Sequence, residues 1–399
     1  MSYSINYKHI LYLVVLLLAG VLMSLPFGGR GAYSGRKIVV FDEHFVNKAA
    51  QEELLAKAGG VKTKDLPLIN GSAVFLPSKA SERALLVNPA VKRIDDDVVV
   101  SILGKVGAGG SGSTQPAQVL PWGIDRIDAE LVWPGGNTAD PIKVGVIDTG
   151  ISNKHPDLLD NVKGGVNTIN PNKNWNDDNG HGSHVAGIVG ALQNSIGVVG
   201  AGPAVDLYAI KVLGANGSGF LSDVVEGIQW AVQNGMQVVN MSLGTSSDVP
   251  SLHDAVLVAH NAGVTVVAAA GNSGGAVIFP AAYSEVIAVS ATDQNNVLAS
   301  WSSRGPEVDL ASPGVSIYST YKGTGYATLS GTSMAAPHVA GSAALVLNTP
   351  VGFYDVNSNG KWDPAEVQKK LQDTAVDLGT TGVDGLYGWG LVNVFNATQ

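Results

Sequence analysis

Three side chains stand where the sequence pattern ends one element or opens the next. Asp148 closes the apolar run KVGVID before a Thr-Gly turn, His181 opens a helical stretch in NGHGSHVAG, and Ser333 opens another in SGTSMAAPHVAG. A hydroxyl becomes a nucleophile when a neighbouring base takes its proton. A carboxylate behind that base orients the imidazole and stabilises the imidazolium that forms. The three residue types that acyl transfer needs are therefore present. The chain has no cysteine, which excludes a thiol nucleophile, a disulfide framework and a Cys-based metal site.

Positioning these groups requires a scaffold. The runs KVGVID (143–148), LYAIKVL (207–213), VVNMSL (238–243), VTVVAAA (264–270) and VIAVSA (286–291) predict buried strands. Helical spacing over 181–193, 222–234, 252–262 and 333–347 alternates with them. That alternation predicts an α/β domain built on a doubly wound parallel sheet, in which chemistry gathers at the C-terminal ends of the strands. Ahead of it lies a small α+β unit of β-α-β-β-α-β order. Its strands are predicted over 37–45, 73–76, 91–94 and 98–103, with another near 66–69, and its first helix over 47–58. The Gly/Ser run at 107–118 has the composition of a flexible linker. Within it Gly107, Gly109 and Gly112 match a dinucleotide-binding glycine pattern, but polar residues and a proline follow where a helix should open.

Composition narrows the function further. At 399 residues two folded units are expected, and 45% hydrophobic with 14% charged residues describes a compact globular protein. A net charge of −9 with no Lys/Arg-rich run argues against a nucleic-acid partner. The apolar stretch Ile10–Met23 after Lys8 has the length of a secretory signal and is short for a membrane span; an uncleaved anchor is the competing expectation.

The loop DVNSNGKWDPAE (355–366) fits a calcium-loop spacing. Asp355, Asn357 and Asn359 stand at its first, third and fifth positions and Gly360 at the turn. Lys361 supplies the carbonyl position, and Asp363 and Glu366 complete the set. The segment GNSGG (271–275) matches a nucleophile elbow around Ser273, but such an elbow requires an acid and then a histidine downstream. The only histidine in that direction is His338, inside the Ser333 block.

Taken in order, DTG, HGSHVAG, AAAGN and SGTSMAAPHVAG resemble the signature blocks of the subtilisin-like serine proteases, and the resemblance covers nearly all of 117–399. It implies a serine endopeptidase with Ser333 as nucleophile, His181 as general base, Asp148 as its orienting carboxylate and Asn272 as an oxyanion donor beside the Ser333 backbone N–H. His184 is expected to be structural. The resemblance also implies that extended substrate lies against Gly217, Ser218 and Gly219 on one side and Ser242, Leu243 and Gly244 on the other. It implies a calcium site made by Gln118, Asp157, Asn194 and the carbonyls of Leu192, Ile196 and Val198. The expected organisation is a signal peptide at 1–30, an inhibitory ferredoxin-like propeptide with its linker at 31–113, and a catalytic domain at 114–399. Self-processing is expected between Gly109 and Ala117. The expected product is secreted, acts on protein and peptide substrates and is a monomer; a catalytically inactive, calcium-dependent binding module is the alternative.

Overall fold

The computed structural model describes residues 33–45, 47–104 and 115–399. The expected signal segment at 1–30 lies outside the described residues, as do Gly107, Gly109 and Gly112. Residues 36–399 form one compact unit.

The N-terminal part of that unit contains β1 (Arg36–Phe41), α1 (Lys48–Lys57), β2 (Val61–Leu66), β3 (Gly71–Phe75), α2 (Lys79–Leu86), β4 (Val91–Asp96) and β5 (Val99–Ile102). Strands β1 to β4 form an antiparallel sheet in the order β2-β3-β1-β4. The strand expected near 66–69 lies earlier, at β2, because Pro67 cannot donate to a ladder and starts a 3-10 turn over Pro67–Ile69. The polar alternation of VKTKDL hides β2 from a search for apolar runs. Strand β5 does not join this sheet.

The larger part runs α3 (Trp122–Arg126), β6 (Lys143–Asp148), β7 (Val162–Asn167), α4 (His181–Gly190), β8 (Asp206–Lys211), β9 (Ser218–Phe220), α5 (Leu221–Gln233), β10 (Val238–Met241), β11 (Leu243–Gly244), α6 (Pro250–Asn261), β12 (Thr265–Ala269), β13 (Val286–Thr292), β14 (Leu310–Pro313), β15 (Ile317–Thr320), β16 (Tyr326–Leu329), α7 (Thr332–Leu347) and α8 (Pro364–Asp373). Seven of its strands form a parallel sheet in the order β14-β13-β12-β10-β6-β8-β7. Such a sheet is covered on both faces, which is why β10, β12 and β13 are buried along their whole length and read as continuous apolar runs. The expected α/β architecture is the observed one. Strand β7 escaped the search because VKGGVN carries two glycines in its middle.

Two apolar clusters fill the faces. One gathers residues of α4 and α7, such as Val185, Val189, Val339 and Ala343. The other gathers Leu221, Ile228, Leu252 and Val256 from α5 and α6, together with Ile38, Val40, Leu66 and Val100 from the N-terminal part. The small sheet thus packs on the outer helices of the large one and shares their core. The chain moves to one side of β6 for β7 and β8 and to the other for β10. That reversal opens a crevice beyond Asp148 at the carboxyl end of β6, where open α/β sheets place their ligands. Among the described residues no helix is long and apolar enough to cross a membrane.

Candidate active site

Asp148 ends β6 and His181 begins α4, and both are fully buried. The His181 Nδ1 lies 2.8 Å from Asp148 Oδ1 and 2.9 Å from Oδ2. Helix and strand meet this closely because residue 182 is glycine: a Cβ there would lie 2.2 Å from the Gly150 carbonyl oxygen and 3.1 Å from Asp148 Oδ1.

A second buried carboxylate, missed in the sequence, pins the pair. Asp177 accepts from Thr149 Oγ1 (2.9 Å), from Ser183 N (2.9 Å) and from Ser183 Oγ (2.7 Å), and Thr149 Oγ1 accepts from Gly182 N (2.9 Å). The residue after Asp148 is thereby tied to the first turn of the helix that carries His181. Burial raises the Asp177 pKa and its hydrogen bonds oppose that rise. The only sequence signal for it is the DDNG run just before His181.

His184, on the same helix, has its Nε2 3.0 Å from the Ile317 carbonyl and 3.1 Å from that of Ala327, and burial pulls its pKa down to about 3. It joins α4 to the β15–β16 hairpin.

Ser333 is the second residue of α7, in the first turn, where backbone N–H groups have no partner inside the helix. Its Oγ donates to the Ser242 carbonyl (3.1 Å), and Ser242 Oγ donates back to the Ser333 carbonyl (2.8 Å). The His181 Nε2 is buried and without a hydrogen-bond partner.

Asn272 stands beyond the end of β12. Its Oδ1 accepts from Thr332 N and Thr332 Oγ1, both at 2.9 Å, which fixes the amide so that Nδ2 faces outward. That Nδ2 donates to the carbonyl oxygen of Leu103. Ser273 Oγ lies 3.3 Å from Ser303 Oγ and accepts from Gly275 N (3.2 Å).

The crevice is filled by the chain itself. Strand β5 runs antiparallel between β9 and β11 as the middle of a three-stranded sheet. Val100 faces Gly219, Ser101 faces Ser218 and Gly244, and Ile102 faces Leu243. Ile102 N donates to the Gly217 carbonyl (3.0 Å) and Leu103 N to the Ser242 carbonyl (3.3 Å). All six residues expected to hold extended substrate border this strand. The edge needs glycine: a Cβ at Gly219 would sit 2.2 Å from the Val212 carbonyl oxygen. The stretch in the crevice is 99–104, upstream of the 109–117 span expected there.

Two oxygen-rich places correspond to the expected metal ligands. Around Gln118 Nε2 stand the carbonyls of Leu192 (2.8 Å), Val198 (3.1 Å) and Ile196 (3.4 Å) and the Oδ1 of Asn194 (3.3 Å). Asp157 accepts from Asn194 Nδ2 and Val198 N, both at 2.8 Å. Four oxygens converging on one donor, with a buried carboxylate beside them, fit a hard cation. In the 355–366 loop, Asp355 accepts from Asn359 N and Gly360 N, both at 2.9 Å. Asn359 Oδ1 accepts from Lys361 N (2.7 Å), and Asn357 Nδ2 donates to Asp363. Glu366 accepts from Asp363 N (2.9 Å) and Val356 N (3.0 Å), closing the loop onto the start of α8.

A buried Asp–His pair, a serine at a helix start and an amide holding a peptide carbonyl, grouped at the topological switch of a parallel sheet, define a serine hydrolase of the α/β class. The model of the subtilase family matches residues 139–390, and the chain belongs to that family of serine endopeptidases. It is 49% identical over 284 residues to Subtilisin Savinase of Lederbergia lenta, an alignment covering 71% of this chain and 100% of that one. An alkaline protease of Shouchella clausii is 46% identical over 317 residues, covering 79% of this chain and 76% of the other. Subtilisin J of Geobacillus stearothermophilus is 39% identical over 385 residues, covering 94% of both.

Proposed function

We propose that Ser333, His181, Asp148 and Asn272 are the working groups of this endopeptidase, which is made as a secreted, calcium-stabilised zymogen. The Ser333 Oγ attacks the substrate carbonyl carbon while His181 Nε2 takes its proton. Asp148 keeps Nδ1 protonated and stabilises the imidazolium. Asn272 Nδ2 and the Ser333 backbone N–H carry the oxyanion of the tetrahedral intermediate. His181 then gives the proton to the departing amine, and water activated by the same imidazole hydrolyses the acyl-enzyme.

One observation supports this assignment most directly. A peptide carbonyl rests on Asn272 Nδ2, and the next residue, Gly104, lies against two of the other three groups: a Cβ on it would be 3.1 Å from His181 Nε2 and 3.8 Å from the Ser333 Cβ. Hydrolysis of a fluorogenic peptide, its loss in Ser333→Ala and labelling of Ser333 by a serine-directed phosphonate test it. Hydrolysis that survives Ser333→Ala would overturn it.

The unit at 31–113 is assigned as the inhibitory propeptide and 114–399 as the catalytic domain. Occupation of the crevice by β5 supports the inhibition. Calcium is assigned to Gln118, Asp157, Leu192, Asn194, Ile196 and Val198, and to the 355–366 loop, where it would tie surface segments together. Secretion rests on the apolar stretch Ile10–Met23 within the expected signal segment at 1–30.

A further inference from the structure

We infer that the bond this protein cuts in its own chain is Leu103–Gly104, and that the cut is made while the segment beginning at Gln115 is already docked in its final place. The inference rests on the catalytic assignment above.

Register is fixed from both sides. Pairing with β9 and with β11 sets which residue meets which, and Val100, 1% exposed, sits in the apolar cluster between sheet and outer helices. Sliding the strand by one residue would turn Val100 and Ile102 outward and Ser101 inward. Gly217, at φ +76°, leaves room for Ile102, whose Cδ1 would lie 2.8 Å from any Cβ there. With that register held, the carbonyl that Asn272 Nδ2 meets, among the described residues, is that of Leu103.

The downstream side is equally anchored. Val119 N donates to the Gly197 carbonyl (2.9 Å), Gly197 N to the Pro116 carbonyl (2.9 Å) and Gln118 N to the Ser195 carbonyl (3.1 Å). Cutting at the docked residues 115–117 would require this segment to leave the 192–198 loop and β5 to leave its two neighbours. Cutting after Leu103 disturbs neither.

The step balances as ordinary peptide hydrolysis. Ser333 Oγ bonds to the Leu103 carbonyl carbon, its proton passing to His181 Nε2. The Leu103–Gly104 C–N bond then breaks, and the proton moves to the Gly104 nitrogen as it leaves as an amine. Water cleaves the ester, leaving a Leu103 carboxylate and restoring the Ser333 hydroxyl.

The full-length chain, refolded in calcium and quenched over time, is read by intact mass. The expected first fragments end at Leu103 and begin at Gly104. Leu103→Asp, which brings an unpaired charge to that position, slows their appearance at least ~100-fold, and Leu103→Met restores it. A first cut anywhere in 105–117, in a chain that hydrolyses a fluorogenic peptide and takes up phosphonate at Ser333, overturns the bond assignment and leaves the catalytic one standing. A calcium-loaded chain that hydrolyses the peptide yet never cuts itself also overturns it. A chain that neither hydrolyses the peptide nor takes up phosphonate overturns both.

Discussion

Pro337 lies inside α7 and has no N–H to give to the carbonyl four residues back, which is that of Ser333. Ser242 Oγ fills the gap, donating to that carbonyl while the Ser242 backbone carbonyl receives the Ser333 hydroxyl. Ser242, beside β5, therefore also holds the first turn of α7 in place. Ser242→Ala leaves a buried carbonyl unpaired and is expected to lower stability by about 1–3 kcal/mol, read by denaturant titration, with kcat reduced more than KM changes. Asn272→Leu removes the amide that holds the carbonyl. The expected loss in kcat is about 10²–10³, a magnitude known for the equivalent donor in subtilisin rather than obtained from this geometry; unchanged kcat would remove Asn272 from the site. Asp148, His181 and Ser333 were legible because each closes or opens a periodic segment. Asp177 and the Ser242 hydroxyl were not, because their importance lies in bonds across 28 and 91 residues of sequence, between groups that are individually ordinary.

At the scale of elements, β5 was readable as a strand but not its destination. VVVSIL fits the edge of the small sheet as well as it fits the crevice, and pairing 117 residues away leaves no local mark. The helices were easier, since α5 and α6 bury one face, α4 and α7 are long runs of small and apolar residues buried all round, and errors fell at their ends. Two helices also carry buried neutral histidines. Burial holds His184 at about 3 and His338 at about 4, against 6.5 in an unfolded chain. The unfolded state binds these protons first, so their contribution to stability is full above pH 6.5 and is lost as pH falls toward 4. His338→Gln removes one such group. Relative to the native protein, its stability should fall less steeply with acid, by about 1.4 kcal/mol per pH unit between 6.5 and 4. Parallel curves for the two proteins, followed by urea unfolding, would contradict this.

Across the whole molecule the outer helices are covered by a sheet from the N-terminal part. Lys64 Nζ pairs with Asp223 (3.0 Å) and Glu226 (2.6 Å) on α5, and Asp97 accepts from Ser222 N (2.8 Å) and Ser222 Oγ (3.0 Å) at the start of that helix. Asp97→Ala should weaken inhibition by an isolated 36–103 fragment added to the processed enzyme, by about fivefold or more in Ki for the loss of about 1 kcal/mol of capping. Chelating calcium should lower the melting temperature, since a ligand at one hundred times its Kd stabilises by about 2.7 kcal/mol. Asp157→Ala should blunt that response.

The docking of 115–119 against the 192–198 loop has a further consequence for the cut at Leu103. If the bond cut is Leu103–Gly104, the amine freed there is still joined to the docked Gln115 through the ten residues 105–114. A tethered nucleophile returns to its acyl partner at a high effective concentration. Resealing therefore competes with hydrolysis while both ends stay home. On the proposed zymogen reading, commitment to the active enzyme would come with departure of the severed N-terminal part, and substitutions between Gly104 and Gln115 should change the rate of maturation without touching Ser333, His181, Asp148 or Asn272.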